Sequence, residues 1–241
     1  MLTKTAYRAD SNYHPIAELQ PWQVDLSDDL PNIPVLTATL LRLDLEVQER
    51  SVDLRAISAV ILSDLGATLQ ILRLAGREYA CTEFRPTRIE DCISDLGLHV
   101  CMEAVSAETA ARSYGNSTIA DTWAHSWEIA QYSKQIAEES QDVDPNEAYM
   151  VGMIHAIGML PAVLGWAASK HGVSDFGLAG FKLAKKWSLA PFLVKFLGEM
   201  QEEQCTTPLP EIVRQAHRRA IRSTIHCPLE HDMGPTLYRA L

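Results

Sequence analysis

Apolar residues recur at steps of three and four along most of this chain, and this spacing limits its fold more than any other feature. The first such stripe comprises Val35, Leu36, Leu40, Leu43 and Val47. Residues at these intervals share one face of an α-helix, which can then be buried against another helix. The sequence contains no alternating strand patterns joined by Asn-Gly or Asp-Gly turns. We therefore predict an all-α protein, a multi-helix bundle in one or two helical lobes.

Helix-start signals divide the periodic sequence into separate helices. Asp53 precedes a stripe that ends near Ser63-Asp64, and Leu65-Gly66 opens the next helix. Asp144-Pro145-Asn146-Glu147 combines a capping Asp with Pro at the first helical position. Thr87-Arg88-Ile89-Glu90 fits a capping box, in which a hydroxyl and a glutamate bind each other's backbone amides. Further helices are predicted over residues 98–112, 121–139, 176–186, 191–201 and 209–224.

The composition is that of an ordinary globular chain, and its charge disfavours two kinds of partner. The 241 residues are 47% hydrophobic and 22% charged, with a formal net charge of -10. This acidic net charge argues against nonspecific electrostatic binding to nucleic acid or to an anionic membrane. No apolar run approaches the roughly 18 residues of a membrane span. Five scattered cysteines and an N-terminus without secretory features predict a cytoplasmic protein with reduced thiols.

Several short segments follow one another in a recognisable order. They are Ile33-Pro34, Asp53–Thr68, Leu72–Tyr79, Ile89–Leu98, Trp123–Ser126, Tyr149–Gly158 and Lys186–Ala190. Their order and spacing resemble the HDOD domain, a relative of the HD-domain phosphohydrolases found mainly in bacterial signalling proteins. The resemblance covers about residues 30–201 and implies an HD-domain-like helical bundle. We accordingly predict an N-terminal arm at residues 1–30, an HDOD-like domain at 31–201, and a C-terminal helix and tail at 202–241.

The resemblance also identifies the positions at which HD enzymes hold metal ions. It places His125 and His155 at the two histidine positions of the HD fold. The segment His155-Ala156-Ile157-Gly158 stands where those enzymes have His-Asp-Ile-Gly, and alanine offers no oxygen to a metal. Further histidines of the family would fall at Phe176 and near Met200-Gln201, where this sequence has none.

Two imidazoles without a carboxylate do not make the hydrolytic site that this fold uses. We therefore predict a degenerate pocket with no catalytic residue, no metal ion and no cofactor. Its candidate residues are His125, His155, Ala156, Trp123 and Phe176. A second interpretation is open at this point. His155 on an apolar helix face fits a hydrogen-bonded core histidine, and His125 fits a similar residue between Trp123 and Trp127.

Ligand-type residues also occur near the C-terminus, at His217, His226, Cys227 and His231. Their spacing matches no zinc pattern. Pro228 and the charged neighbours are typical of an irregular tail, so we do not predict a metal site there.

These observations favour a non-catalytic regulatory or scaffolding module of bacterial signal transduction. It would bind a protein partner or a small signal through the degenerate pocket, without membrane contact, as a monomer or a dimer. The alternative is a metal-dependent phosphohydrolase of a nucleotide or cyclic dinucleotide that acts through His125, His155 and carboxylates. The candidate carboxylates are Asp121, Asp142, Asp144 and Asp175. A third interpretation, nucleic-acid binding by the basic segment Arg214–Arg222, conflicts with the acidic net charge.

Overall fold

The computed structural model describes residues 33–49, 51–80, 85–106, 117–166, 176–200 and 206–224. Within these ranges the protein is helical and contains no β-strand, which confirms the all-α prediction. The N-terminal arm at 1–30 and the tail residues His226, Cys227 and His231 lie outside the described residues.

Eleven α-helices make up the described part of the chain, with one 3-10 turn at Ile157–Met159 between the seventh and eighth. They are α1 (Thr37–Gln48), α2 (Leu54–Leu62), α3 (Leu65–Glu78), α4 (Ile89–Leu96), α5 (Leu98–Ser106), α6 (Ser117–Ser140), α7 (Pro145–Ile154), α8 (Leu160–Val163), α9 (Phe176–Lys186), α10 (Pro191–Glu199) and α11 (Leu209–Thr224). The predicted bounds of α9 and α11 agree with the structure to the residue.

Most of the helix-start signals act as predicted. The Asp53 carboxylate accepts a hydrogen bond from the Arg55 amide at 2.8 Å. Asp144 caps α7 by accepting from the amides of Asn146 at 2.7 Å and Glu147 at 3.1 Å. Each bond satisfies an amide that the first helical turn leaves without an intrahelical acceptor.

Two predicted helix starts are wrong. The residue that caps α4 is Arg88, not Thr87, and it makes no side-chain capping bond. Glu90 is therefore the second helical residue instead of the third, so the reciprocal capping box does not form. Helix α6 begins at Ser117, four residues before the predicted start. Ile119 is buried one helical turn before the buried Trp123, which extends the apolar stripe towards the N-terminus.

The helices pack as two groups around one continuous hydrophobic core. Helices α1–α5 contact mainly one another, as do α6–α11, and α3 contacts α6 and α7 between the groups. Among the described residues, no single helix is long and apolar enough to cross a membrane. In the part of the chain that the structure describes, one pair of helices, α2 and α3, reaches that length and apolar composition when taken together, with a bend of 113° between them.

Asp64 links the two groups of helices. Its side chain is 0% exposed. One carboxylate oxygen accepts from the Ala67 amide at 3.1 Å and from the Trp123 indole Nε1 at 2.9 Å. The other accepts from the Leu36 amide at 2.8 Å. A single carboxylate therefore connects the start of α1, the start of α3 and the N-terminal third of α6.

Candidate site of three histidines

Helices α6 and α7 approach closely at Gly152. A Cβ atom at this position would lie 2.7 Å from the Cα of Ala130 and 2.8 Å from the Ser133 hydroxyl, so only glycine fits without a shift of α6. This approach brings His125 of α6 beside His155, which directly follows α7. The two ring centroids are 5.2 Å apart, and both side chains are buried, with exposures of 4% and 8%.

A third imidazole reaches the same point from α11. The His217 ring centroid lies 5.1 Å from that of His125 and 4.8 Å from that of His155. One nitrogen from each of the three rings can be chosen so that all lie within 4.8 Å of one another. Among the described residues, this is the one group of three or more His, Cys, Asp or Glu side chains with such spacing.

Helix α11 is held against α6 and α7 by apolar packing and by an ion pair. Val213, Ala216 and Ala220 are 0% exposed on the buried side of the helix. The Arg219 guanidinium donates two hydrogen bonds to the Glu139 carboxylate, at 3.0 and 2.5 Å. The pair is largely exposed to solvent, where an ion pair contributes little to stability. The buried apolar side of α11 therefore accounts for most of the orientation that turns His217 inwards.

The segment before α11 is also anchored. Glu199 at the end of α10 is buried, and its carboxylate accepts hydrogen bonds from the hydroxyls of Thr206 and Thr207. The Lys195 ammonium lies 3.7 Å from the same carboxylate. Because only Pro208 separates Thr207 from α11, these bonds anchor the segment that leads into the helix.

Hydrogen bonding determines which nitrogen of His155 carries the proton. Its Nδ1 lies 2.6 Å from the Gly152 carbonyl oxygen, and a carbonyl only accepts, so Nδ1–H is the donor. The lone pair is then on Nε2. The buried Nε2 atoms of His155 and His217 have no hydrogen-bond partner among the described residues.

Burial keeps all three rings neutral. Desolvation lowers the pKa of His125 to about 3, of His155 to about 4 and of His217 to about 2. Desolvation is the larger cause, and the neighbouring imidazoles account for a smaller part of the lowered pKa of His125 and His217, because each would carry like charge when protonated. At neutral pH all three rings are therefore uncharged.

No carboxylate belongs to the histidine cluster in the described part of the chain. Ala156 is buried and supplies none. Asp144 is engaged as the cap of α7, and Asp121 and Asp142 are not members of the cluster. Asp175 lies outside the described residues.

The other two predicted pocket residues, Trp123 and Phe176, contact neighbouring helices and turns instead of joining the histidine cluster. Trp123 is 1% exposed and donates its indole N–H to Asp64. The backbone of Phe176, the first residue of α9, lies against Gly158. A Cβ at Gly158 would come within 1.8 Å of the Phe176 carbonyl oxygen, so a glycine is needed where the 3-10 turn meets α9.

Sequence reasoning missed His217, which was grouped with the residues of an irregular tail. One signal was present: His217 stands one helical turn after Val213, next to Ala216, on the apolar side of α11. A histidine in the apolar stripe of an otherwise basic helix indicates a residue directed into the interior.

A separate cavity of about 330 Å³ lies on another face of α6 and α7. Trp127, Tyr149, Met150 and Phe192 supply much of its apolar lining, and charged or polar groups including Arg88, Glu90, Gln131, Lys134 and Glu147 also line it. Trp127 is 42% exposed, which is unusual for so large an apolar side chain. None of the five predicted pocket residues lines this cavity.

The two described cysteines do not behave as nucleophiles. Cys92 and Cys101 are buried free thiols. Burial raises the pKa of Cys92 to about 12 and that of Cys101 to about 11. Both therefore stay protonated at neutral pH, whereas the reactive form of cysteine is the thiolate.

Comparison with known proteins agrees with this architecture. The HDOD domain matches residues 33–202. The chain belongs to the HDOD family. His125 and His155 lie inside the HDOD match, whereas His217 and the whole of α11 lie beyond its end.

Solved structures share the HDOD fold at low sequence identity. The MmoQ response regulator of Methylococcus capsulatus str. Bath is 20% identical with a TM-score of 0.64; the match covers 82% of this chain and 90% of that one. A virulence factor of Campylobacter jejuni subsp. jejuni is 14% identical with a TM-score of 0.51, over 81% of this chain and 77% of that one. No curated protein matches the chain significantly.

Proposed function

We propose that this HDOD domain is a non-catalytic regulatory module of signal transduction that binds a protein partner. The main support for this proposal is that Ala156 occupies the position at which the HD enzymes have their metal-bridging Asp. Hydrolysis by that fold needs carboxylates to hold the ions that activate water, and the described cluster consists of imidazoles alone. The fold shared with a protein named as a response regulator supports a signalling role.

The cavity beside Trp127 supports a protein as the partner. It combines a half-exposed tryptophan and other apolar side chains with charged groups of both signs. Protein interfaces have this anatomy, with aromatic anchors at the centre and a polar rim. Nucleic acid is a poorer candidate, because Arg218 and Arg219 of α11 are paired with Glu211 and Glu139.

Catalysis is tested by a phosphodiesterase assay with bis(p-nitrophenyl) phosphate and a cyclic dinucleotide. The assay includes Mn²⁺, Fe²⁺, Ni²⁺ or Zn²⁺ in turn. We expect a rate equal to that of the metal alone, and an equal rate for His155→Ala. A rate above the metal blank that disappears in His155→Ala would refute the non-catalytic assignment and establish a phosphohydrolase.

Partner binding is tested by affinity capture from the source organism, followed by titration with the purified partner. Because truncation of a central aromatic anchor costs about 2 kcal/mol or more, Trp127→Ala should weaken binding roughly 30-fold. Val100→Ala is the matched control, since Val100 is also 42% exposed but lies on α5, away from the cavity. Equal affinities for the two variants would exclude this surface.

A further inference from the structure

The three histidines supply three nitrogen ligands at one point in the structure. This ligand set differs from that of the HD enzymes, which includes a carboxylate. We propose that His125, His155 and His217 bind one divalent transition-metal ion of the zinc, nickel or copper type, and that the ion fastens α11 to α6 and α7. This inference goes beyond the proposed function. The sequence predicted no metal ion because only two imidazoles were expected at this point. The third imidazole, that of His217, comes from α11, which lies outside the HDOD match.

The distances fit a site that closes around an ion by small side-chain movements. A tetrahedral zinc ion holds nitrogen ligands at about 2.0–2.1 Å, which places those nitrogens about 3.4 Å from one another. The three chosen imidazole nitrogens lie within 4.8 Å of one another. The rings therefore need to approach by about an ångström or slightly more, a distance that rotation of imidazoles on fixed helices supplies.

Packing alone does not account for the arrangement of the nitrogens. Buried polar atoms are almost always hydrogen-bonded, yet the Nε2 atoms of His155 and His217 have no such partner among the described residues. Leaving a buried acceptor unsatisfied costs about 1–3 kcal/mol. Coordination of a cation by both lone pairs removes that cost.

His155 also has the outer hydrogen bond that is typical of metal ligands. Its Nδ1–H donates to the Gly152 carbonyl at 2.6 Å. Such a bond fixes the tautomer, orients the ring and increases the basicity of the opposite nitrogen.

The donor set selects the class of cation. Imidazole nitrogens suit Zn²⁺, Ni²⁺ and Cu²⁺, whereas Mg²⁺ and Ca²⁺ require oxygen ligands. The described cluster contains no oxygen ligand. Three protein ligands leave one position of a tetrahedral ion for solvent or a small anion.

The test uses the full chain, stripped of metal with a chelator and titrated with Co²⁺, whose visible absorption reports four-coordinate binding, and then with competing Zn²⁺. We expect one ion per chain. X-ray absorption of the Zn²⁺ form should show three imidazole ligands at about 2.0–2.1 Å. Loss of a ligand in His217→Ala should weaken binding about 100-fold or more, whereas the exposed His99→Ala should bind as the wild type does.

Folding of the variants is monitored by circular dichroism, and His217→Gln replaces His217→Ala if the latter unfolds. The proposal is overturned if the wild type binds no stoichiometric metal, if absorption shows fewer than three imidazoles, or if loss of His217 leaves affinity unchanged. The outcome is independent of the proposed function. Hydrolysis by the metal-loaded protein would refute the non-catalytic role and leave the site intact, whereas absence of metal would remove the site and leave that role intact.

Discussion

Replacement of Asp64 by alanine is expected to lower the free energy of unfolding by about 3–5 kcal/mol. The carboxylate is fully buried and accepts from the amides of Leu36 and Ala67 and from the Trp123 indole. Its removal leaves these donors in the interior without their acceptor, and each such loss costs about 1–3 kcal/mol. Urea denaturation monitored by circular dichroism measures the change.

Asp53→Ala is the matched control for Asp64→Ala. Asp53 also precedes a helix, but it is exposed and accepts only from the Arg55 amide. Its removal should cost about 1 kcal/mol or less. Asp64→Asn should fall between the two variants, because the amide keeps one accepting oxygen and presents an N–H group to the other donors. Similar losses for Asp53→Ala and Asp64→Ala would show that Asp64 is only a helix cap.

The metal-free protein is expected to lose stability steeply as the pH falls from about 6.5 to 4.5. The three clustered histidines have folded-state pKa values of about 3, 4 and 2, below the ordinary value of 6.5. The unfolded chain therefore binds more protons than the folded chain in this window, and acid favours unfolding. Each histidine contributes about 1.4 kcal/mol per pH unit once the unfolded form is protonated. Together they contribute on the order of 4 kcal/mol per unit, a large part of a typical stability.

Denaturant midpoints measured at several pH values, with a chelator present, test this expectation. Replacement of His217 by leucine removes one titrating group and should reduce the slope by about a third. His99→Gln, at an exposed position, should leave it unchanged. Glu139 and Glu211 have lowered pKa values, so their contributions are lost below 4.5 and stay outside this window. A stability that is level between pH 6.5 and 4.5 would mean that the rings are solvated or already charged.

The sequence predicted those features of the fold that depend on neighbouring residues. The apolar stripes and the caps Asp53 and Asp144 act over one or two helical turns, so the helices they define are present in the structure. The capping box at Thr87 failed because a shift of one residue in the helix start is enough to break it. Helix starts that differ by one residue differ in free energy by only about 1 kcal/mol, and the packing of the surrounding helices selects between them.

The candidate site was also predicted in part. The family pattern identified His125 and His155 as neighbours, and the structure places their rings 5.2 Å apart. Trp123 was predicted beside them, but its indole is directed to Asp64. A tryptophan pattern predicts burial without predicting the hydrogen-bond partner, because that partner lies on another helix.

By itself, the sequence determined that the chain is all-α, where most of its helices begin and end, and that it carries the HDOD pattern without the metal-bridging Asp. Only the tertiary structure decided that His217 joins His125 and His155. Helix formation follows from contacts between residues three and four apart, which a sequence displays directly. The meeting of three imidazoles depends on the close approach at Gly152 and on the apolar packing of α11 against α6 and α7, which bring together helices far apart in the chain.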